Sequence, residues 1–112
     1  MGISLGILIS GRGSNMLNIV KACLKKKINA EVKIVISNNT KSECLEKIKN
    51  KGFKIKIIQN KDFKNKELYE EKLSNVLKTE KVELVCLAGY TKILSEKFLK
   101  KWKNRVINIH PS

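Results

Sequence analysis

Arginine is nearly absent from a chain that is otherwise strongly basic. Of the 24 basic residues in 112, only Arg12 and Arg105 are arginine, and the formal net charge is +14. Aromatic residues are equally sparse, at 5%. Proteins that read nucleic acids rely on the bidentate arginine fork and interleave aromatics for base stacking. With neither in supply, and with lysines scattered over nearly every predicted helix and loop, the charge reads as a solvated surface. No nucleic-acid partner is expected. The positive field still favours small anionic ligands, and that attraction weakens as salt rises.

Cysteine, histidine and proline are also short. Cys23, Cys44 and Cys86 form no Cys-x-x-Cys pair, and the chain has a single histidine. That combination makes no zinc pattern, so no metal is expected. An odd number of cysteines excludes a complete disulfide framework. They read as small buried apolar residues in a reducing, cytoplasmic compartment. No signal peptide is visible and no apolar run approaches the length of a membrane span, so no membrane partner is expected. The only proline and the only histidine fall together in Asn108-Ile109-His110-Pro111-Ser112.

What is present is alternation. The length suits one domain over 1–112. Ile3 to Ile9 is a short apolar run suited to a strand buried on both faces. Asn15 to Lys27 reads as a helix with Leu17, Val20, Cys23, Leu24 and Ile28 on one stripe. Val32 to Ser37 is a second β-rich run. Ser42 to Lys51 reads as a helix with Cys44, Leu45 and Ile48 inward, closed by Gly52 at C′. Phe53 to Ile58 alternates apolar residues with lysine, as an edge strand does. Asn65 to Thr79 is the longest helical pattern, with Leu68, Tyr69, Leu73, Val76 and Leu77 inward. Val82 to Ala88 is another strand, and Ser95 caps a short helix to Trp102. Val106 to Ile109 is the last strand. Five strands alternating with helices predict an α/β fold: a Rossmann-like parallel sheet with helices on both faces. No oligomeric state is read from this pattern.

In open α/β sheets, ligands sit beyond the carboxyl ends of strands. Three segments qualify. The first, Ser10-Gly11-Arg12-Gly13-Ser14-Asn15, follows a strand and opens a helix. Its glycines allow a sharp turn and close approach of backbone to a ligand. The helix start favours an anion such as phosphate, and Ser14 and Asn15 can bond a phosphate or cap the helix. No Gly-Lys-Ser/Thr ending follows, so it is not a triphosphate loop. Met16 stands where the dinucleotide fingerprint needs a third glycine, and Ser37-Asn38-Asn39 offers no acid for a ribose. The loop suits a single phosphate, or is a tight turn with no ligand. The second segment, Leu87 to Ser95, reads by itself as a strand end and an ordinary helix entry. The third is the chain's end. His110 can exchange a proton near neutral pH. Asn108, two residues earlier on an extended strand, faces the same side and can donate to a developing oxyanion. The plain alternative is a turn after the last strand.

Three segments together resemble the phosphoribosylglycinamide formyltransferase family of folate-dependent purine synthesis. They are Ser10-Gly11-x-Gly13-Ser14-Asn15, Leu87-Ala88-Gly89-Tyr90-x-x-Ile93-Leu94 and Asn108-Ile109-His110-Pro111-Ser112. The last is shared with other formyl-folate transferases and hydrolases. The resemblance implies transfer of a formyl group from 10-formyltetrahydrofolate to the amine of glycinamide ribonucleotide. It implies that Gly11, Gly13, Ser14 and Asn15 hold the ribonucleotide phosphate and that Gly89 lines the same cleft. Folate contacts map onto Thr91, Lys92, Ile93, Leu94, Asn108 and Lys66. The family commonly has arginine at the two basic positions, and lysine cannot reproduce a bidentate carboxylate contact. Asn108 would stabilise the oxyanion and His110 would act as general acid and base. Family enzymes continue past Pro-Ser and supply an aspartate for the histidine and part of the folate pocket. The expectation is therefore an N-terminal part of such an enzyme, weakly active or inactive alone. The alternatives are a basic polyanion-binding module or the N-terminal part of another formyl-folate enzyme.

Overall fold

A computed structural model of the chain describes residues 2–109. Five strands, β1 (Ile3–Ile9), β2 (Ala30–Ser37), β3 (Ile55–Ile57), β4 (Leu84–Ala88) and β5 (Val106–Ile109), form one sheet in the order β3-β2-β1-β4-β5. Every adjacent pair is parallel. The connections run through α1 (Ser14–Leu24), α2 (Glu43–Lys49), α3 (Lys66–Thr79) and α4 (Glu96–Lys101). The predicted α/β architecture is the observed one.

The period-2 geometry of strands sends β1 side chains to two cores. Leu5, Ile7 and Ile9 pack against Met16, Leu17 and Val20 of α1 and Cys44, Leu45 and Ile48 of α2. Leu8 points the other way, to Tyr69, Leu73 and Leu77 of α3 and to Phe98 and Trp102 at α4. Gly6 faces α3 as well: a Cβ there would lie 2.7 Å from Leu77 Cδ2. The absence of a side chain lets α3 settle onto the sheet at that point. Each buried Ile or Leu contributes roughly 1.5–3 kcal/mol, so the two cores carry most of the driving force.

Some predicted boundaries shift. The first helix stops at Leu24, because Lys26 adopts φ +57 and ends the regular backbone. Leu24 and Ile28 therefore leave the core, at 53% and 44% exposed, while Met16 at the helix start is wholly buried. In α3 the inward set is Tyr69, Leu73, Val76 and Leu77, and Leu68 falls outside that arc at 44% exposed. The edge strand is three residues long and Val82 is buried just ahead of β4 rather than within it. Gly52 lies one residue beyond C′, since α2 is capped at Asn50. Ser95 is the expected N-cap, its Oγ accepting from Phe98 N at 3.2 Å, and Asn65 caps α3 in the same way, its Oδ1 accepting from Leu68 N at 2.9 Å.

Short α4 is anchored through its last turn. Trp102 is 1% exposed, stacks on Phe98 at 6.4 Å, and donates from Nε1 to Ser74 Oγ at 3.2 Å. The Arg105 guanidinium lies 4.6 Å above the same indole. A six-residue helix has little stability of its own, so this tertiary packing is what fixes the β4–α4 connection.

Candidate functional site

The carboxyl ends of β1 and β4 are neighbours, and the strand order reverses between them. Connections from β1 lead toward β2, and β4 begins the other half of the sheet. That is where an open α/β sheet has its crevice. Gly11 to Asn15 lies beyond β1, Gly89 to Leu94 beyond β4, and Asn108 near the end of β5, where it pairs in register with Leu87.

The β1–α1 loop has an ordered distribution of polar groups. Its first three carbonyls are engaged on one side, by the segment after β2. Ser10 O accepts from Asn39 Nδ2 at 3.1 Å, Gly11 O from Ser42 Oγ at 2.6 Å, and Arg12 O from Cys44 N at 3.0 Å. Ser42 is in turn bonded to fully buried Ser37, whose hydroxyl also ties down Asn39. Among the described residues the amides of Gly11, Arg12, Gly13, Ser14 and Asn15 have no hydrogen-bond acceptor. Successive free amides at a helix start form an anion-binding concavity. Gly13 makes the turn at φ +91 and supplies the first helical carbonyl, to Leu17 N at 2.9 Å. Among the described residues no side chain caps α1, so neither Ser14 nor Asn15 plays the capping role the sequence allowed. Arg12 is turned outward to Glu43 at 3.2 Å, an exposed pair of little energetic weight.

The β4–α4 loop is tied at three points. Thr91 N donates to Ser10 Oγ at 2.8 Å, the Tyr69 and Tyr90 hydroxyls lie 2.6 Å apart, and Ser95 N donates to Glu70 Oε2 at 2.8 Å. Ser95 Oγ donates to the other Glu70 oxygen. Burial pushes both phenols up from their ordinary value, and for Tyr90 the bond to Tyr69 adds to it. The pair therefore stays protonated at neutral pH and serves as a hydrogen-bonded joint rather than as a base.

Between the ties, Lys92, Ile93 and Leu94 meet Lys66 and Tyr69 around a cavity of ≈ 300 Å³ that also includes Asn60, Phe63, Asn65 and Glu70. The structure thus brings Lys66 together with Lys92 to Leu94. Gly11 to Asn15, Gly89 and Asn108 do not line that cavity. Ile93 is 81% exposed, and Asn108 is exposed as well. His110, Pro111 and Ser112 lie outside the described residues. Among the described residues no cluster of metal-ligating side chains occurs, and no helix is long and apolar enough to cross a membrane.

The sequence alone assigns no role at the site to Ser10, Asn39, Ser42, Glu70 or the tyrosine pair. One signal was available: Ser37-Asn38-Asn39 is a polar cluster at the carboxyl end of the strand next to β1. Such a cluster, though it holds no acid for a ribose, is a set of donors for the neighbouring loop.

The formyl transferase profile matches residues 4–112. The trifunctional purine biosynthetic protein adenosine-3 of Drosophila pseudoobscura pseudoobscura is 42% identical over 108 residues, covering 95% of this chain and 8% of that protein. The phosphoribosylglycinamide formyltransferase of Haemophilus influenzae is 34% identical over 108 residues, 96% of this chain and 51% of that protein. The crystal structure of the phosphoribosylglycinamide formyltransferase from Brucella melitensis superposes with a TM-score of 0.93 at 34% identity, covering 100% of this chain and 58% of that one. The chain spans about half the length of these two bacterial proteins.

Proposed function

Since the chain belongs to the formyl transferase family, we propose that it carries the ribonucleotide-binding part of a phosphoribosylglycinamide formyltransferase. In this reading the amides of Gly11 to Asn15 hold the phosphate of glycinamide ribonucleotide. Gly89, with no side chain, leaves room for the rest of that substrate. The donor is 10-formyltetrahydrofolate, received along Thr91 to Leu94 and near Lys66. The reaction belongs to one-carbon metabolism in the cytoplasm.

Chemically, the glycinamide amine attacks the formyl carbon and the carbonyl oxygen becomes an oxyanion. The Asn108 carboxamide stands at the end of β5 as the donor to that oxyanion, where a positioned amide lowers the barrier most. His110 takes the proton from the attacking amine and returns one to the leaving folate nitrogen. Lys66 and Lys92 supply point charges for an anionic group of the donor, without the fork of an arginine.

The observation that carries this reading is the run of five amides without acceptors beyond β1, with the Ser10, Gly11 and Arg12 carbonyls engaged by the segment after β2. It is tested by titrating glycinamide ribonucleotide and a double-stranded oligonucleotide at two salt concentrations. A substrate phosphate site gives saturable, modestly salt-dependent ribonucleotide binding that Gly13→Val abolishes. Oligonucleotide binding with a steep salt slope, indifferent to Gly13→Val, would instead identify a polyanion module.

A further inference from the structure

We infer that Ser10 is a positioning residue that couples the β1–α1 loop to the β4–α4 loop, so that an anion held on the first shifts the second. This rests on the reading of Gly11 to Asn15 as a phosphate site.

The last paired residues of β1 and β4 are Leu8 and Leu87. Beyond them, a continuing parallel ladder would have β4 amides donating to β1 carbonyls. The Ser10 carbonyl is not free to do this, because it accepts from Asn39 Nδ2 at 3.1 Å on the β2 side. The Ser10 hydroxyl stands in for it and accepts from Thr91 N at 2.8 Å. One residue thus bridges both sides of the switch point, its carbonyl bound to the β2–α2 segment and its side chain to the β4–α4 loop.

Neither end of this strut is slack. Ser10 is 9% exposed and immediately precedes the free amides. Asn39 is itself fixed, its amide donating to Ser37 Oγ at 3.0 Å. On the other side the loop is tied again at Tyr90 and Ser95, which leaves Lys92, Ile93 and Leu94 as the span that can move. Gly89, at φ +71 with open space around its α-carbon, is the bend from which that span departs. An anion drawn onto the amides pulls the β1–α1 loop toward the crevice. Through Ser10 that displacement reaches Thr91, and from there the wall of the Lys66–Lys92 cavity. The two ligand loops are then one mechanical body, and occupation of one pre-positions the other.

The test is an NMR titration of the 112-residue chain with inorganic phosphate, read at assigned backbone amides. In the wild type, Thr91 and Lys92 should shift together with Gly13 to Asn15, with a common midpoint. In Ser10→Ala the Gly13 to Asn15 shifts should remain and those of Thr91 and Lys92 disappear. Ser10→Thr, which keeps the hydroxyl, should restore them. Retained dispersion of the β1 amides shows that each variant is folded. Thr91→Pro removes the same bond from its donor end and serves if Ser10→Ala is poorly folded. Wild-type shifts confined to Gly13 to Asn15, or shifts still transmitted in Ser10→Ala, would overturn the inference. Hydrogen exchange without ligand gives a second arm. Losing the acceptor should speed exchange at Thr91 by about fivefold or more, and an unchanged rate also overturns the inference. If phosphate shifts no residue, the phosphate-site reading fails and the exchange arm alone decides the strut.

Discussion

Gly13 offers a quantitative check on how tightly the β1–α1 loop is built. Replacing it by alanine forces an L-residue into the left-handed region at φ +91, which costs about 1–2 kcal/mol. The new Cβ would also stand 3.1 Å from Met16 Cε, 3.3 Å from Cys44 Cβ and 3.3 Å from Ile9 Cδ1. Met16 is fully buried, so even its flexible tip has little room, and Cys44 Cβ yields only if α2 moves. Overpacking of this kind adds about 1 kcal/mol. The total is about 2–3 kcal/mol, measured by urea denaturation, with a fall in Tm of about 10 °C for a domain of this size. Two controls separate the contributions. Gly89→Ala meets the strain at φ +71 but nothing within 4 Å, and should lose only about 1–2 kcal/mol. Gly11→Ala meets open space without a left-handed backbone, and should change stability by less than about 0.5 kcal/mol. Equal losses for Gly13→Ala and Gly89→Ala would refute the crowding argument. A Gly13→Ala as stable as Gly11→Ala would refute the strain argument as well.

Other expectations follow from the same packing. Glu70→Leu leaves the Ser95 amide and hydroxyl without their carboxylate and should cost about 2–3 kcal/mol. A double-mutant cycle with Ser95→Ala should show coupling, and strict additivity would argue that the two residues do not interact in solution. Trp102→Ala removes the indole that anchors α4 and should cost about 3–5 kcal/mol, with α4 amides losing exchange protection first. Burial pushes the Cys86 thiol from 9.0 up to about 11. The unfolded chain therefore releases this proton at lower pH than the folded one. Its contribution is complete below pH 9 and is lost as pH rises to about 11. The stability difference between wild type and Cys86→Ala should accordingly narrow across that window, and a constant difference would contradict the assignment.

The elements that could be read in the sequence are those whose apolar residues all serve one surface. Ile3 to Ile9 is apolar on both faces because helices cover both, and its limits match the observed strand. Errors arose where apolar residues serve no core. Leu24 and Ile28 continue the α1 stripe in sequence, but the left-handed Lys26 turns the chain away before they can pack. Leu68 shares the composition of its neighbours and differs only in angular position on α3. At the candidate site, Gly11 to Asn15 was visible because glycines after a strand are a local signal. The Ser10–Thr91 and Gly11–Ser42 bonds join residues 81 and 31 positions apart, and no local pattern encodes such partners. His110, the residue that gave the chain's end its chemical interest, lies outside the described residues.

The position of β1 in the sheet has a consequence for biosynthesis. The first strand to be made is the middle one, flanked by β2 on one side and β4 on the other. At typical translation rates of about 5–20 residues per second, roughly 4 to 16 s pass between the synthesis of Ile9 and that of Ala88. During that interval β1 can pair with β2 and be covered by α1, α2 and at last α3, but its β4-facing edge remains open. This is the stretch of the nascent chain most suited to pairing with a neighbour's strand. Slower decoding between β2 and β4 should raise aggregation of the newly made protein without altering the stability of molecules that have already folded.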